Sequence, residues 1–180
     1  MRHYLYSIDS CVKTENPSEI TPQLPAGYHY EIWDPSLFCL RPEGTPGYFI
    51  VWWIFHYARI FRNNDFCVFL VKNGSSLAHY SIVSPDYYRF PFMAHIDLTI
   101  GDSFTFPTHR RKGLYTFVLA KSAEVFQKPG RAIWTIHDEG NDASKGSFLK
   151  AGYKYVGEVV RTKPFGIRLL GQYKLSDQDC

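Results

Sequence analysis

Three consecutive cations, Arg110, Arg111 and Lys112, stand directly before Gly113. The apolar residues before them predict a strand, and the residues after Gly113 predict a helix. The first turn of a helix carries unpaired backbone N–H groups and the positive end of the peptide dipole, so it attracts phosphate. Glycine lets the backbone approach a ligand closely, or adopt a dihedral angle that other residues avoid. The pattern therefore predicts a site for a phosphorylated ligand, although a run of cations alone is more often a solvated surface.

The composition indicates a globular protein of one domain, or at most two very small ones. The chain has 180 residues, of which 45% are hydrophobic and 21% are charged, as is ordinary for a soluble protein. The formal net charge of +3 is too small, and the basic residues are too scattered, to predict nucleic-acid binding. The high aromatic content, 17%, is concentrated in the first half and suggests an aromatic-lined surface or pocket there.

Signals for metal binding, secretion and membrane insertion are missing from the sequence. The four cysteines, Cys11, Cys39, Cys67 and Cys180, share no close spacing, so we expect free thiols in a reducing compartment and no metal site. The first residues lack the apolar core and the cleavage site of a secretory signal. The most apolar run, residues 48–55, is far shorter than the roughly 20 residues that a membrane span requires. We therefore expect a cytoplasmic protein with no membrane span.

The residues that precede the cationic turn predict strands and one helix. Residues 1–27 show little periodicity beyond their first few positions. An alternating stretch at 28–33 is suited to the first strand of the chain. Residues 48–61 are dense in bulky side chains and predict a buried helix, with a strand as the alternative. Two apolar runs flank Asn73 and Gly74, and this pair favours the tight turn of a hairpin.

The elements around the cationic turn predict a strand–helix–strand unit. Residues 92–106 predict a strand long enough to cross the whole sheet, with a bulge or bend at Gly101 and Asp102. The helix from Gly113 presents apolar residues on one face. Residues 132–136 predict a buried strand, and a unit of this length implies a right-handed crossover to a parallel neighbour.

The last part of the chain predicts one short helix and two closing strands. Asn141 or Asp142 is a suitable N-cap for the helix, and Gly152 ends it. The two strands are expected at residues 153–161 and 165–175. The sequence has no internal repeat and no linker, so it predicts a single mixed α/β domain.

Two motifs in the second half share an order and a spacing that resemble those of a known superfamily. They are Arg110-x-x-Gly113-x-Tyr115, between a strand and a helix, and Asn141 followed by Gly152-Tyr153 after a short helix. They resemble the GNAT superfamily of N-acetyltransferases, whose acetyl-CoA motif is R/Q-x-x-G-x-G/A, followed by an N-…-G-F segment. The resemblance implies a GNAT-like fold, in which helices flank a central mixed β-sheet with splayed parallel strands.

The resemblance also implies how the single domain, residues 1–180, is organised. Residues 66–160 would form the acetyl-CoA-binding core. Residues 1–65 would lie on the acceptor side, and residues 161–180 would supply the closing strand.

The resemblance implies which residues hold acetyl-CoA. Backbone amides of the cationic loop would bind the pyrophosphate, in agreement with the helix-start argument. The strand before the loop would pair with the pantetheine arm, and one of its N–H groups would polarise the thioester carbonyl. Asn141 would bond the pantetheine or the sulfur region where the two central parallel strands part. The implied cofactor-binding residues are Phe104, Thr105, Phe106, Arg110, Arg111, Lys112, Gly113, Leu114, Tyr115, Asn141 and Ser144.

The sequence departs from the superfamily pattern at two positions. Tyr115 stands where glycine or alanine is usual, and its side chain would either crowd the cofactor or point into solvent. Phe148 stands where a tyrosine frequently serves as the general acid, and phenylalanine cannot protonate a departing thiolate. The acid would then be Tyr153, a tyrosine from the aromatic first half, or solvent.

The general base must take a proton from an ammonium group near the middle of the long strand. The candidates are Asp102, Asp97 and His95. Asp102, beside Gly101 at the expected bend, lies closest along the chain to the thioester. For Asp97 and His95 the alternative interpretation is a partly exposed strand face, and for Asp102 it is a bulge or turn residue.

The resemblance implies an acetyl-CoA-dependent N-acetyltransferase, in which a neutral small-molecule amine attacks the thioester directly and positioning supplies much of the rate. The stretch from Thr105 to Tyr115 looks most like members of bacterial cell-surface polysaccharide pathways, which suggests an amino sugar or a nucleotide-linked amino sugar as acceptor. Peptides, polyamines and antibiotics remain open, and the protein is expected to be a monomer or a homodimer.

The alternative is a GNAT-like domain that binds coenzyme A without catalysis, as a sensor or an assembly subunit, and Phe148 favours it. A kinase or other nucleotide enzyme is disfavoured because the sequence has no G-x-x-x-x-G-K-[ST] and no G-x-G-x-x-G.

Overall fold

The computed structural model describes residues 2–9, 22–166 and 171–176. Within these residues, all strands belong to one eight-stranded sheet. The strands are Arg2–Asp9 (β1), Tyr28–Trp33 (β2), Cys67–Asn73 (β3), Ser76–Pro85 (β4), Leu98–Thr105 (β5), Ala132–Asp138 (β6), Lys154–Arg161 (β7) and Tyr173–Leu175 (β8). The α-helices are Phe49–Tyr57 (α1), Leu114–Val125 (α2) and Asp142–Lys150 (α3).

The sheet is mixed, with the strand order β2-β3-β4-β5-β6-β1-β7-β8. The central neighbours β5 and β6 are parallel and are joined through α2, while the other pairs are antiparallel. In the described residues, pairing of β5 with β6 ends at Ile100 and Thr135, although both strands continue beyond that point. The predicted mixed α/β fold with splayed parallel strands is confirmed.

A bulge interrupts β5 at the predicted position. Gly101 pairs with Ile82 and Phe104 pairs with Tyr80, so Asp102 and Ser103 together lie opposite Ser81. Asp102 adopts a positive φ of 45°. The extra residue turns the strand, and Asp102 and Ser103 therefore serve opposite faces of the sheet.

Hydrophobic side chains pack on both faces of the sheet. On one face, α2 and α3 cover Leu98, Ile100 and Ile133, to which they add Val118 and Phe148. On the other face, α1 and the chain after β4 form an aromatic cluster that includes Trp52, Tyr80, Tyr87, Phe90 and Phe66. The predicted helix at 48–61 is thus a helix, shortened to nine residues. No described helix is long and apolar enough to span a membrane.

The stretch at 28–33 is a strand, as predicted, but it is not the first strand of the chain. Arg2–Asp9 forms β1, which pairs with β6 on one side and with β7 on the other. Leu5 and Tyr6 are buried there, at 0% and 3% exposure. The mixture of polar and aromatic residues in this strand gives no clear alternation. The strand forms because β6 and β7, which come much later in the chain, pair with its two edges.

Two strands are shorter than predicted. β5 begins at Leu98 rather than at residue 92, because the chain from 88 to 96 turns instead of extending, so β5 does not cross the whole sheet. In the predicted strand at 165–175, Tyr173–Leu175 is β8, while residues 167–170 lie outside the described residues. Cys39 and Cys67 are free thiols, as predicted, and Cys11 and Cys180 lie outside the described residues.

Candidate functional site

A groove of about 1000 Å³ opens at the carboxyl ends of β5 and β6, where the two strands part. Its walls are the second half of β5, the cationic loop with the start of α2, the end of β6 and the start of α3. All eleven residues predicted to hold a cofactor belong to these segments, and ten of them line the groove: Phe104, Thr105, Arg110, Arg111, Lys112, Gly113, Leu114, Tyr115, Asn141 and Ser144. Phe106 lies next to it at the end of β5 and donates its N–H to Ala78 O at 3.0 Å.

Backbone N–H groups at the start of α2 face the groove without an acceptor among the residues that the structure describes. A short 3-10 turn, Pro107–His109, uses the N–H groups of His109 and Arg110. The next backbone bond runs from Phe117 N to Gly113 O, so the hydrogen bonds of the described residues leave the N–H groups of residues 111–115 unused. Arg111 and Gly113 have positive φ values of 61° and 72°, which turn this stretch of backbone. A Cβ on Gly113 would meet nothing within 4 Å.

The cations of the loop are held at the mouth of the groove. The Arg110 guanidinium donates to Thr105 O at 3.2 Å and lies over the Phe104 ring, 5.8 Å from its centroid. Lys112 Nζ donates to Tyr28 Oη at 2.8 Å and lies over the Tyr28 ring. These contacts fix two positive charges beside the unused amides, and the site is therefore suited to a phosphorylated ligand.

The unpaired edge of β5 forms a second wall. Beyond Ile100, β5 remains paired with β4 on one side but has no described strand partner on the other. Such an edge offers N–H and C=O groups to an extended ligand. Across the groove, Asn141 caps α3 by accepting a hydrogen bond from Ser144 N at 3.2 Å. No described hydrogen bond uses Asn141 Nδ2, which therefore remains available as a donor.

A smaller cavity, of about 160 Å³, lies on the opposite face of the sheet under the aromatic cluster. Its lining includes Trp52, Tyr87, Arg89, Phe90 and Tyr173. Four residues line this cavity and the groove alike: Gly101, Asp102, Ile136 and Asp138. The gap between β5 and β6 therefore brings the two cavities together.

Asp102 stands at this junction. Asp102 is exposed, because the two cavities open beside it. Surrounding protein atoms nevertheless reduce the solvation of its carboxyl, and this loss of solvation raises the pKa of the carboxyl. Arg89, a hydrogen bond from Trp52 and Arg161 partly oppose this rise in pKa. The carboxyl is thus close to both cavities, and its raised pKa makes it a stronger proton acceptor than an ordinary carboxylate.

The other two base candidates lie elsewhere. Asp97 is 4% exposed and accepts hydrogen bonds from Ala94 N, Ala132 N and Trp134 Nε1 at 2.9 to 3.0 Å. His95 has an exposed side chain beside Asp86 on the loop before β5. Neither residue lines the groove or the smaller cavity. The structure therefore gives Asp97 the role of fastening the loop before β5 to β6.

The acid candidate Tyr153 is buried at 2% exposure and does not line the groove. Its hydroxyl has no hydrogen-bond partner among the described residues, and burial, with Tyr115 nearby, raises its pKa well above the ordinary value. Phe148 is fully buried and packs against Tyr115, with ring centroids 5.9 Å apart.

Tyr115 points into the protein rather than into solvent. Its ring lies between those of His79 and Phe148, with centroids at 5.5 and 5.9 Å. Its hydroxyl lies near the side-chain hydroxyls of Ser103 on β5 and Thr135 on β6, and interaction with them opposes the rise in its pKa that burial causes.

Sequence reasoning missed this inward orientation and the polar side chains of β4 that lead to it. The available signal was the alternation of His79 with Ser81 and of Ser103 with Thr105 on neighbouring strands.

No family model matches the chain, and no curated protein matches it. Solved structures do match. A GNAT-family acetyltransferase from Colwellia psychrerythraea superposes with a TM-score of 0.54 and 12% identity, over 87% of this chain and 53% of that one. A tandem GNAT protein from the clavulanic acid biosynthesis pathway superposes with a TM-score of 0.54 and 16% identity, over 86% of this chain and 50% of that one. A Drosophila protein superposes with a TM-score of 0.56 and 11% identity, over 87% of this chain and 48% of that one.

This chain spans about half the length of these three solved structures. At such low identity, the similarity of these structures to this chain shows the fold alone, and this chain has the fold of the GNAT superfamily.

Proposed function

We propose that this protein is an acetyl-CoA-dependent N-acetyltransferase that acts on a small-molecule amine. The observation that carries the proposal is the arrangement of unused amides at residues 111–115 on the same groove as the unpaired edge of β5. A diphosphate needs the first feature, and an extended amide-containing arm needs the second. The GNAT fold supports the same assignment.

The groove residues fit coenzyme A in size and chemistry. The volume, about 1000 Å³, is large enough for an extended ligand. The amides of residues 111–115 would hold the pyrophosphate, with Arg110 and Lys112 adding charge at the mouth. The backbone of Phe104 and Thr105 would pair with the pantetheine arm, and Asn141 would donate to it from the opposite wall. Acetyl-CoA supplies the activated acetyl group when it is bound.

Asp102 is proposed as the general base. It lines both cavities, so an amine that enters through the smaller cavity reaches it before meeting the groove. The raised pKa of its carboxyl brings it closer to neutrality, where a base accepts a proton from an ammonium group more readily. The free amine then attacks the thioester directly, and the two cavities supply the orientation.

The smaller cavity supports an amino sugar, alone or nucleotide-linked, as acceptor. Trp52, Tyr87 and Tyr173 offer aromatic faces on which the apolar face of a sugar ring can pack. Arg89 and Asp102 offer a donor for hydroxyl groups and an acceptor for the amine. A rate with spermidine or with a peptide N-terminus far above that with any amino sugar would exclude this acceptor class.

A second function, a coenzyme A-binding sensor or assembly domain without catalysis, is favoured by one observation. Phe148 is fully buried at the position where the resemblance implies the general acid. Such a domain would bind coenzyme A in the same groove but release no thiol with any amine.

The first experiment measures thermal stabilisation by acetyl-CoA in the wild type and in Gly113→Glu. A ligand at a hundred times its dissociation constant stabilises by about 2.7 kcal/mol, an easily measured shift. A carboxylate at Gly113 should abolish that shift by repelling the diphosphate. Gly130→Glu is the matched control, because Gly130 has the same φ of 72° but lies after α2, outside the groove. Loss of the shift in both variants, or in neither, would contradict the proposed phosphate site.

The second experiment measures thiol release from acetyl-CoA with a panel of amino sugars, nucleotide-linked amino sugars, polyamines and peptides. Release that depends on the amine is expected. Stabilisation by acetyl-CoA without release for any amine would favour the non-catalytic alternative.

A further inference from the structure

Hydrogen-bonded side chains form a continuous chain on the α2 side of β4 and β5. His79 Nδ1 is 2.7 Å from Thr105 Oγ1, and His79 Nε2 is 2.8 Å from Ser81 Oγ. Ser81 Oγ is in turn 2.7 Å from Ser103 Oγ. Thr105 is partly exposed at the groove, whereas His79 and Ser81 are 1% and 0% exposed. The chain therefore connects the open groove with the protein interior.

This series of hydrogen-bonded side chains leads to the Tyr115 hydroxyl. This hydroxyl lies near the side-chain hydroxyls of Ser103 on β5 and Thr135 on β6. Thr135 is also the last β6 residue that pairs with β5, and its Oγ1 donates to Ile100 O at 3.1 Å. Tyr115, which lines the groove, therefore places its O–H group beside the point where the two strands part.

We propose that Tyr115 is the proton donor to the departing thiolate, and that the chain through Ser103, Ser81 and His79 returns the proton from the groove. The inference rests on the proposed acetyltransfer. It supplies the acid that Phe148 cannot provide, from a position where the resemblance expects glycine or alanine.

The proton and electron balance is complete without a further reactant. The amine nitrogen forms the bond to the acetyl carbon, the carbon–sulfur bond breaks, and its electron pair remains on sulfur. The Tyr115 proton passes to that sulfur. Asp102, after it has released the ammonium proton to solvent, takes the proton that the amine nitrogen loses as the amide forms. Ser103 then gives a proton to the Tyr115 oxygen. Ser81 gives a proton to Ser103, His79 Nε2 gives one to Ser81, and Thr105 gives one to His79 Nδ1. His79 thus stays neutral, and its proton moves from Nε2 to Nδ1.

The surroundings of Tyr115 suit this role. The ionisable groups facing it are His79 from β4 and Tyr153 from the segment after α3, while Phe148 on α3 carries none. Burial lowers the pKa of His79 to about 3, so the imidazole is neutral and can relay a proton. Burial raises the pKa of Tyr115, and interactions with the Ser103 and Thr135 side chains oppose that rise. Tyr115 thus keeps its proton near neutrality, and the Ser103 hydroxyl can donate to its phenolate once that proton has left.

The test uses Tyr115→Phe, which keeps the ring between His79 and Phe148 and removes only the hydroxyl. With acetyl-CoA and the amine that reacts fastest in the panel, kcat should fall about 10²-fold, the low end for general acid catalysis. The KM for acetyl-CoA and the thermal shift that acetyl-CoA produces should not change. Ser122→Ala, which deletes a buried hydroxyl of α2 without a hydrogen-bond partner in the described residues, is the matched control. It should leave both kcat and the shift unchanged.

A rescue variant separates proton donation from packing. Phe148→Tyr in the Tyr115→Phe background returns a hydroxyl to the neighbouring ring and should restore part of the lost kcat. Ser103→Ala should lower kcat less than Tyr115→Phe does, because Tyr115 can still donate once while its reprotonation is slowed.

Three results would overturn the inference. One is an unchanged kcat in Tyr115→Phe while acetyl-CoA still stabilises the variant. Another is loss of kcat in Tyr153→Phe alone. The third is tighter binding of acetyl-CoA to Tyr115→Phe with full activity, which would mean that the hydroxyl only obstructs the gap. Absence of thiol release by the wild type with every amine would instead refute the acetyltransfer itself, and the inference with it.

Discussion

Two aspartates, one directly before β5 and one at the bulge within it, should respond in opposite ways to the same change. Asp97→Asn should destabilise the protein and leave turnover intact. Asp102→Asn should abolish most of the turnover and leave the fold intact. The reason is that Asp97 accepts three hydrogen bonds within the protein, whereas Asp102 lines both cavities.

The magnitude for Asp97→Asn follows from its hydrogen bonds. Its Oδ1 accepts from Ala132 N at 2.9 Å, and its Oδ2 accepts from Ala94 N and Trp134 Nε1 at 3.0 and 2.9 Å. An asparagine retains one acceptor oxygen, and its NH₂ group faces the remaining donor. Loss of one hydrogen bond to a charged group, with a buried N–H left unpaired, costs about 3 kcal/mol. For a chain of this size, that lowers Tm by about 6 to 12 °C.

The assay combines thermal unfolding with thiol release at a temperature where both variants are folded. Asp97→Asn should show the lower Tm, wild-type kcat and a normal shift with acetyl-CoA. Asp102→Asn should show a Tm near or above that of the wild type and a kcat lower by at least about 10²-fold. The reverse pattern, with turnover lost in Asp97→Asn at unchanged Tm, would refute the assignment of both residues.

Three further predictions concern pH and burial. Burial raises the pKa of Asp102, so ionising its carboxyl costs more free energy in the folded protein than in the unfolded chain. At a pH where the carboxyl is ionised, Asp102 therefore lowers the free energy of unfolding. Asp102→Asn should therefore raise Tm at pH 8, and the gain should vanish at pH 3, as paired thermal melts would show. His79, with its pKa lowered to about 3, stays neutral while the unfolded chain binds a proton below pH 6.5. Stability should therefore rise with pH between about 3 and 6.5, with a loss of about 2 kcal/mol at pH 5 relative to neutrality. His79→Gln should show a smaller difference between pH 5 and pH 7 in urea unfolding, and equal slopes in both proteins would contradict the buried neutral imidazole. Arg131, 2% exposed, donates to Ile96 O and Phe126 O and pairs with Asp65. Arg131→Met should cost about 1 to 3 kcal/mol in urea unfolding and leave the acetyl-CoA shift unchanged, since Ile96 O and Phe126 O lose their donor while Asp65 keeps its ion pair with Lys128.

The sequence was most informative where local rules act alone. Asn73 and Gly74 marked the hairpin of β3 and β4, and Gly101 with Asp102 marked the bulge, because turns and bulges need particular backbone dihedral angles at particular residues. The cationic loop was located for the same reason, since Arg111 and Gly113 adopt left-handed conformations before α2.

Long-range contacts could not be derived in this way. β1 is a strand because β6 and β7 satisfy both of its edges, and these strands follow it by more than a hundred residues. Asp97 looked like a base near a long strand, but Ala132 and Trp134 on β6 use its carboxylate. The inward direction of Tyr115 likewise depends on Ser103 and Thr135, which only the folded sheet brings together.

Amide hydrogen exchange with and without coenzyme A tests the central claim most directly, because it reports on the proposed phosphate ligands themselves. We expect coenzyme A to slow exchange of the N–H groups of residues 111–115, for which the described part of the chain supplies no acceptor. Gly113→Glu should lose this effect, and Gly130→Glu should keep it. Unchanged exchange at residues 111–115, with slowing elsewhere in the chain, would contradict the claim that these amides bind the diphosphate.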